Sequence, residues 1–195
     1  MKSFLIFSLL ICTTTFAKVV DKKTTPAEAA ATSVLSFKET DGAVGFHAVG
    51  KPAMIKIDGE GTGPYGDLTL ADGKLSGSLS IDMKKLTTKI ELRDDHMKNK
   101  YLEVDKFPAS IIIFKDYSLN LDSSSDQPFS AELQLHGITK PVSGTIKLSK
   151  QGTALTGQAT FKIKVTDYMD TLPSYAGIKI ADEVQVKVDL KTTTK

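Results

Sequence analysis

The chain is poor in every residue type from which a covalent or metal-held scaffold is made. Of its 195 residues one is cysteine, Cys12, three are histidine and none is tryptophan. A single cysteine closes no internal disulfide. His47, His96 and His136 are scattered, without the His-x-His or Glu-x-x-His spacing that presets a metal site, so neither a metal nor a cofactor is implied. Nor does the chain carry a phosphate loop, because Gly59, Gly61, Gly63 and Gly66 precede a strand pattern rather than a helix. No Gly-x-Ser-x-Gly nucleophile elbow occurs, since Gly77-Ser78 sits inside an alternating strand. Arginine is nearly missing: Arg93 is the only one, so a bidentate, permanently charged fork exists at one place alone. Excess charge of one sign is lacking as well. The 25 basic and 23 acidic side chains are interspersed and leave a net +2, which provides no basic face for nucleic acid.

What is present begins with an export signal. Lys2 supplies a positive start, Phe4 to Cys12 (FLIFSLLIC) an apolar stretch, and Thr15-Phe16-Ala17 a small-residue end, so cleavage after Ala17 and a periplasmic or secreted mature protein are expected. A membrane anchor needs about 20 apolar residues. Thr13 to Thr15 end the run too early, so no stable anchor is expected. Bulky Ile11 before Cys12 argues against lipidation. With residues 1–17 removed, no cysteine remains, and the core alone must hold the fold in an oxidising compartment. Residues 18–32, rich in Lys, Thr and Ala, read as a flexible tail, residues 33–191 as the domain, and Thr192 to Lys195 as a frayed end.

With 41% hydrophobic residues the chain can bury a core for one domain, and its dominant period is two. Leu75, Gly77, Leu79 and Ile81 alternate with Ser76, Ser78, Ser80 and Asp82, and Phe129, Ala131, Leu133 and Leu135 with Ser130, Glu132 and Gln134. The same alternation spans Val142 to Leu148, Leu155 to Val165 and Val184 to Leu190, with less regular strands at Val34 to Lys38, Val44 to Val49, Met54 to Asp58 and Gly66 to Ala71. Asp72-Gly73 is a two-residue hairpin signature, Gln151-Gly152 a weaker one, and Gly59 to Gly66 reads as a glycine-rich bend. About eight or more strands in a meander mean a mainly β, antiparallel barrel or sandwich. Small residues in register with large ones, Gly77, Gly144, Gly157, Ala131 and Ala159, fit equally an interior with room for one ligand and a tapered packed core.

Thr87 to Asn99 breaks the pattern. Thr88 and Glu91 have capping-box spacing, and Ile90, Met97 and Tyr101 recur at helical spacing, which predicts one helix of about three turns. Arg93 and Asp94 fall on or beside its buried stripe, where a guanidinium needs carboxylates or carbonyls around it. Arg93 is therefore read as a structural strut between helix and barrel, with direct contact to a ligand the lesser alternative.

These residues carry a resemblance. The run Arg93-Asp94-Asp95-His96-Met97, then Tyr101 to Pro108 (YLEVDKFP) and the strand to Phe114, resembles the central signature of the YceI-like family: Arg-Asp, a spacer, His-Leu, and an aromatic-rich segment ending in Pro before a strand. Phe129 to Gly144 (FSAELQLHGITKPVSG) is similar to that family's strand, His-Gly-x-Thr-Lys-Pro-Val turn and next strand, and Asp167-Tyr168 with Ala181 to Val184 matches its C-terminal part. The resemblance runs from Ser33 to Leu190. It implies an extended lipocalin-like barrel holding a long apolar molecule, an isoprenoid, quinone-like or fatty chain. Gly45 to Pro52 replaces a segment that is basic or histidine-containing in many members, and Val165-Thr166 replaces an Asn-Arg pair. Head-group recognition does not carry over; recognition of the tail needs only apolar volume and does.

The reading of function that follows is a non-enzymatic lipid binder whose walls are Leu79, Ile113, Leu133, Leu135, Ile146, Phe161, Ile163 and Val186. Two other classes stay open at this point: an interaction or stress module without a ligand, and a hydrolase or isomerase using His96 or His136. Tyr168 to Ile180 (YMDTLPSYAGIKI), too apolar at Tyr168, Met169, Leu172 and Tyr175 for a freely solvated loop, is predicted either to fold over one barrel mouth or to pack against the helix. Whether the protein forms a homodimer is left open by the sequence.

Overall fold

A computed structural model describes residues 32–52, 55–175 and 177–193, with only the backbone of residue 175. The expected signal, residues 1–17, and all of the expected tail except Thr32 lie outside the described residues. Alternation of apolar and polar side chains produces strands β1 (Ser33–Phe37), β2 (Gly42–Lys51), β3 (Ile55–Thr62), β4 (Tyr65–Ala71), β5 (Lys74–Asp82) and β6 (Ala109–Ser118). After them come β7 (Asp126–Leu135), β8 (Ile138–Gln151), β9 (Ala154–Lys164), β10 (Ser174–Tyr175), β11 (Ile178–Ile180) and β12 (Glu183–Thr193). All pair antiparallel in one sheet, in the order β1-β4-β5-β6-β7-β8-β9-β12-β2-β11-β10, with β3 on the other edge of β2.

The sheet curls into a half-barrel whose margins are drawn together. Thr192 Oγ1 donates to the Ser36 carbonyl at 2.7 Å, Gly63 N–H to the Glu39 carbonyl at 2.8 Å, and Glu60 and Thr87 exchange backbone bonds. Thr192 is thus part of the last strand rather than a frayed end. The turns Asp72-Gly73 and His136-Gly137 both take two successive left-handed residues, with φ of 53° and 71° and of 51° and 76°. That is the primed geometry matching the twist of a tight hairpin.

The predicted bend at Gly59 to Gly66 begins four residues late, because β3 continues to Thr62. Gly59 and Gly61 are there for close approach, not turning. A Cβ on Gly59 would lie 2.2 Å from the Phe46 ring, and one on Gly61 2.8 Å from Leu86 Cδ2.

The helix differs from expectation too. Only Glu91–Asp95 is α-helical, here α1, and His96–Tyr101 continues it as a π-helical segment. Ile90 is the N-cap, offers no side-chain cap and is 52% exposed rather than buried. Thr88 does not box with Glu91. Its N–H and hydroxyl both donate to Asp94 Oδ1, at 2.7 and 2.5 Å, and the Thr87 hydroxyl donates to Asp94 Oδ2 at 2.6 Å. One carboxylate within the helix therefore satisfies the turn leading into it.

Candidate ligand-binding cavity

Because side chains alternate across a strand, every second residue of β2, β7, β9 and β12 faces the concave side of the sheet. Val44, Phe46 and Ala48, Leu133 and Leu135, Phe161 and Ile163, and Val184 and Val186 form one wall. The other side is α1 and its π-helical extension, through Arg93, His96, Met97, Tyr101 and Leu102. Between them is a cavity of about 430 Å³. Its wall is almost entirely apolar, the composition of a site that takes a hydrophobic ligand.

A second chamber of about 80 Å³ continues deeper into the sheet, among Leu35, Leu68, Leu79, Ile112, Ile146 and Leu148. Ile81, Leu133 and Phe161 border both chambers and make the constriction between them. Phe161 is braced edge-on by Phe129, with ring centroids 5.9 Å apart. Both rings depend on Gly144, where a Cβ would lie 2.7 Å from Phe161 Cβ and 2.9 Å from Phe129 Cε1. Part of the small-residue pattern thus seats aromatic side chains instead of leaving volume for a ligand.

The predicted wall residues distribute unevenly. Leu133, Leu135, Phe161, Ile163 and Val186 line the large cavity; Leu79 and Ile146 line the small chamber, with Leu133 and Phe161 shared. Ile113 lines neither. Its cross-strand partners are Ser78 and Glu132, both of the polar parity, whereas its neighbours Ile112 and Phe114 face inward. Three successive isoleucines hide the parity of β6 from a reading of period two.

Contributions from β2, β3 and α1 lie outside the predicted wall, although Met97 and Tyr101 are on the predicted helical stripe, and the segment after β9 is the predicted cover. That segment does close over the mouth. Met169, Pro173, Ser174, Ile178 and Ile180 line the cavity, and β11 is held by pairing Ile180 with Gly50 and Lys179 with Lys51. A latch crosses from the helix: Tyr101 Oη donates to the Ser174 carbonyl at 2.7 Å and accepts from Ser174 N–H at 2.9 Å. The hydrogen bond accepted from the Ser174 N–H draws the Tyr101 phenol below its ordinary pKa. Tyr168, 1% exposed, closes the inner side of this cover, and burial with the charge of Asp167 pushes its phenol up to about 12.

The histidines do not converge. His47 Nδ1 meets Asp58 Oδ1 at 2.6 Å, and of the three only His96 lines the cavity. His136 bonds outside its own turn. Its Nε2 is 3.0 Å from Glu103 Oε2 and its Nδ1 3.2 Å from the Tyr168 carbonyl, so the ring ties the β7–β8 turn to two loops. Hydrogen bonds from Lys106 and then His136 hold the Glu103 carboxyl below the usual range. Arg93 is held by a loop carbonyl, one of the partners its structural reading allows, and not by a carboxylate. Its Nη2 donates to the Thr88 carbonyl at 2.9 Å, a bond into its own helix entry, and no carboxylate pairs with it among the described residues.

A model of the YceI-like domain matches residues 21–192. The chain belongs to the YceI-like family. Solved structures agree on the fold. Burkholderia cenocepacia BcnA is 17% identical, with a TM-score of 0.66 over 80% of this chain and 99% of that one. A polyisoprenoid binding domain from Saccharophagus degradans, implicated in plant cell wall breakdown, is 17% identical, with a TM-score of 0.63 over 85% and 99% of the two chains. The Campylobacter jejuni YceI protein is 15% identical, with a TM-score of 0.52 over 100% and 99%. No curated protein matches. As a YceI-like chain, the protein places its helix signature, Arg93 to Met97, against the cavity, and its His-Gly turn outside it.

Proposed function

We propose that this YceI-like protein is a non-enzymatic binder and carrier of an elongated apolar lipid, an isoprenoid, quinone-like or fatty chain, acting in the periplasm or outside the cell after removal of residues 1–17. The observation that carries this reading is the cavity of about 430 Å³ with its nearly unbroken apolar wall. At about 25 cal/mol per Å² of apolar area removed from water, a chain laid along that wall is held without metal or covalent chemistry. The polyisoprenoid-binding description of the Saccharophagus degradans domain supports the same ligand class. Catalysis has less support, since His136 is engaged outside the cavity and His47 is on another surface.

The test is native mass spectrometry with solvent extraction of three proteins purified from their native compartment. Wild type is expected to carry an apolar molecule. Leu133→Trp with Phe161→Trp is expected to lose it while remaining folded, since both side chains border the two chambers. Gln134→Trp, on the opposite parity of β7, is expected to keep it. Equal lipid in all three, or none in wild type, overturns the reading.

A further inference from the structure

We infer that the cavity selects a lipid with a singly charged carboxylate head, which docks against Arg93; this rests on the lipid-binding reading above and names the head group that reading leaves open. The argument starts from an inventory of polar hydrogens along the helix side of the cavity. The Thr88 hydroxyl is spent on Asp94, the Ser110 hydroxyl on the Gln134 carbonyl at 2.9 Å, and the Tyr101 hydroxyl on Ser174. The Arg93 Nε–H is not spent. It is buried and meets no acceptor among the described residues, and Arg93 is one of the residues that line the cavity. Only Nη2 is engaged, and with a neutral carbonyl. The nearest acid in sequence, Asp94, has both oxygens occupied by Thr87 and Thr88.

The single arginine of the chain thus brings a permanent positive charge, with a directed donor, to an apolar wall without a protein counter-charge. Arg93 is half-buried, and a charge drawn partly out of water beside an apolar wall gains from a ligand that neutralises it. A carboxylate matches on both counts: it contributes one negative charge, and its two oxygens suit the planar donor edge of a guanidinium. A diphosphate carries more charge than one guanidinium balances, and among the described residues His96, and no lysine, joins Arg93 in lining this cavity. A neutral quinone or alcohol leaves the arginine uncompensated. With the head at Arg93, the apolar wall that includes Leu133 and Phe161 is available to the tail.

The experiment measures dissociation constants on the delipidated mature chain by displacement of a fluorescent polyene probe, using matched tails with different heads: oleate against oleyl alcohol, and geranylgeranoic acid against geranylgeraniol and geranylgeranyl diphosphate. The acids are expected to bind at least tenfold more tightly than their alcohols and more tightly than the diphosphate. That acid-to-alcohol ratio is expected to fall toward one in Arg93→Gln and to recover only in part in Arg93→Lys. Carboxyl-labelled oleate followed by ¹³C NMR on wild type gives a readout that needs no variant. The bound carboxyl is expected to stay ionised to a pH at least one unit lower than in phosphatidylcholine vesicles. Equal binding of acids and alcohols to wild type, tighter binding of the diphosphate, or an unchanged ratio in Arg93→Gln overturns the inference and leaves the lipid-binding reading standing. Failure of every tail to bind overturns both.

Discussion

At the scale of single residues, Asp94 shows how one side chain can replace a whole capping motif. Burial raises its pKa, but the bonds from Thr87 and Thr88 and the charge of Lys98 outweigh it and hold the carboxyl below the ordinary aspartate value of 3.8. A carboxyl lowered on folding contributes stability that is complete above the unfolded value and disappears as pH falls through the lower folded one. Asp94→Asn is therefore expected to destabilise by about 1–3 kcal/mol at neutral pH, the scale for hydrogen bonds to a charged group. It is also expected to flatten the loss of stability below pH 3.8. Urea unfolding at a series of pH values checks both. Equal acid limbs in the two proteins would show that the carboxylate plays no part in the cap. Asp94 was visible in sequence only as a neighbour of Arg93, because its partners lie in an extended turn whose path no helical spacing reports.

Among elements, the cover over the mouth and the constriction at mid-sheet control different steps. Tyr101 is the latch between the π-helical segment and β10, with two bonds to the Ser174 backbone. Tyr101→Phe removes both at a cost of about 1–3 kcal/mol, the sum of two ordinary hydrogen bonds. Release of bound lipid is expected to accelerate several-fold, measured by transfer to vesicles; an unchanged rate would leave the β10–β11 hairpin a passive wall. Phe161 separates the two chambers. Phe161→Ala is expected to cost about 3–5 kcal/mol, as for other large-to-small core changes. It is also expected to join the chambers, so that the preferred tail lengthens across a homologous series of fatty acids. A stability loss with no shift in preferred length would mean that the deeper chamber is closed to the tail. Period two revealed both β7 and β9, which carry Leu133 and Phe161, because each alternates strictly. It showed β2 and β3 only as shorter, less regular strands, and it left the parity of β6 masked by Ile111, Ile112 and Ile113.

For the whole molecule, composition carries its own expectation. The proposed cleavage after Ala17 would leave a chain without cysteine: N-terminal sequencing of the exported protein is expected to begin at or near Lys18, and its melting temperature to be the same with and without reductant. An intact N-terminus recovered from membranes would contradict the first; a melting temperature that drops on reduction would contradict the second. Among the described residues no helix is long and apolar enough to cross a membrane.

What the sequence determined by itself is what depends on local period and composition: antiparallel strands, their tight turns, the family signature and an apolar interior. Each follows from residues a few positions apart, whose alternation and backbone preferences act before the chain is folded. What only the tertiary structure decided is how distant segments share space. Whether Gly144 leaves volume or seats Phe161, which of three isoleucines faces in, and whether Arg93 braces the barrel or faces the cavity all depend on side chains far away in sequence. Leu133, Phe161, Tyr101 and Arg93 come from four separate elements, and curling of the sheet brings them around one cavity. That closure is set by long-range packing and hydrogen bonds such as Thr192 to Ser36, between residues 156 positions apart, which no local pattern encodes.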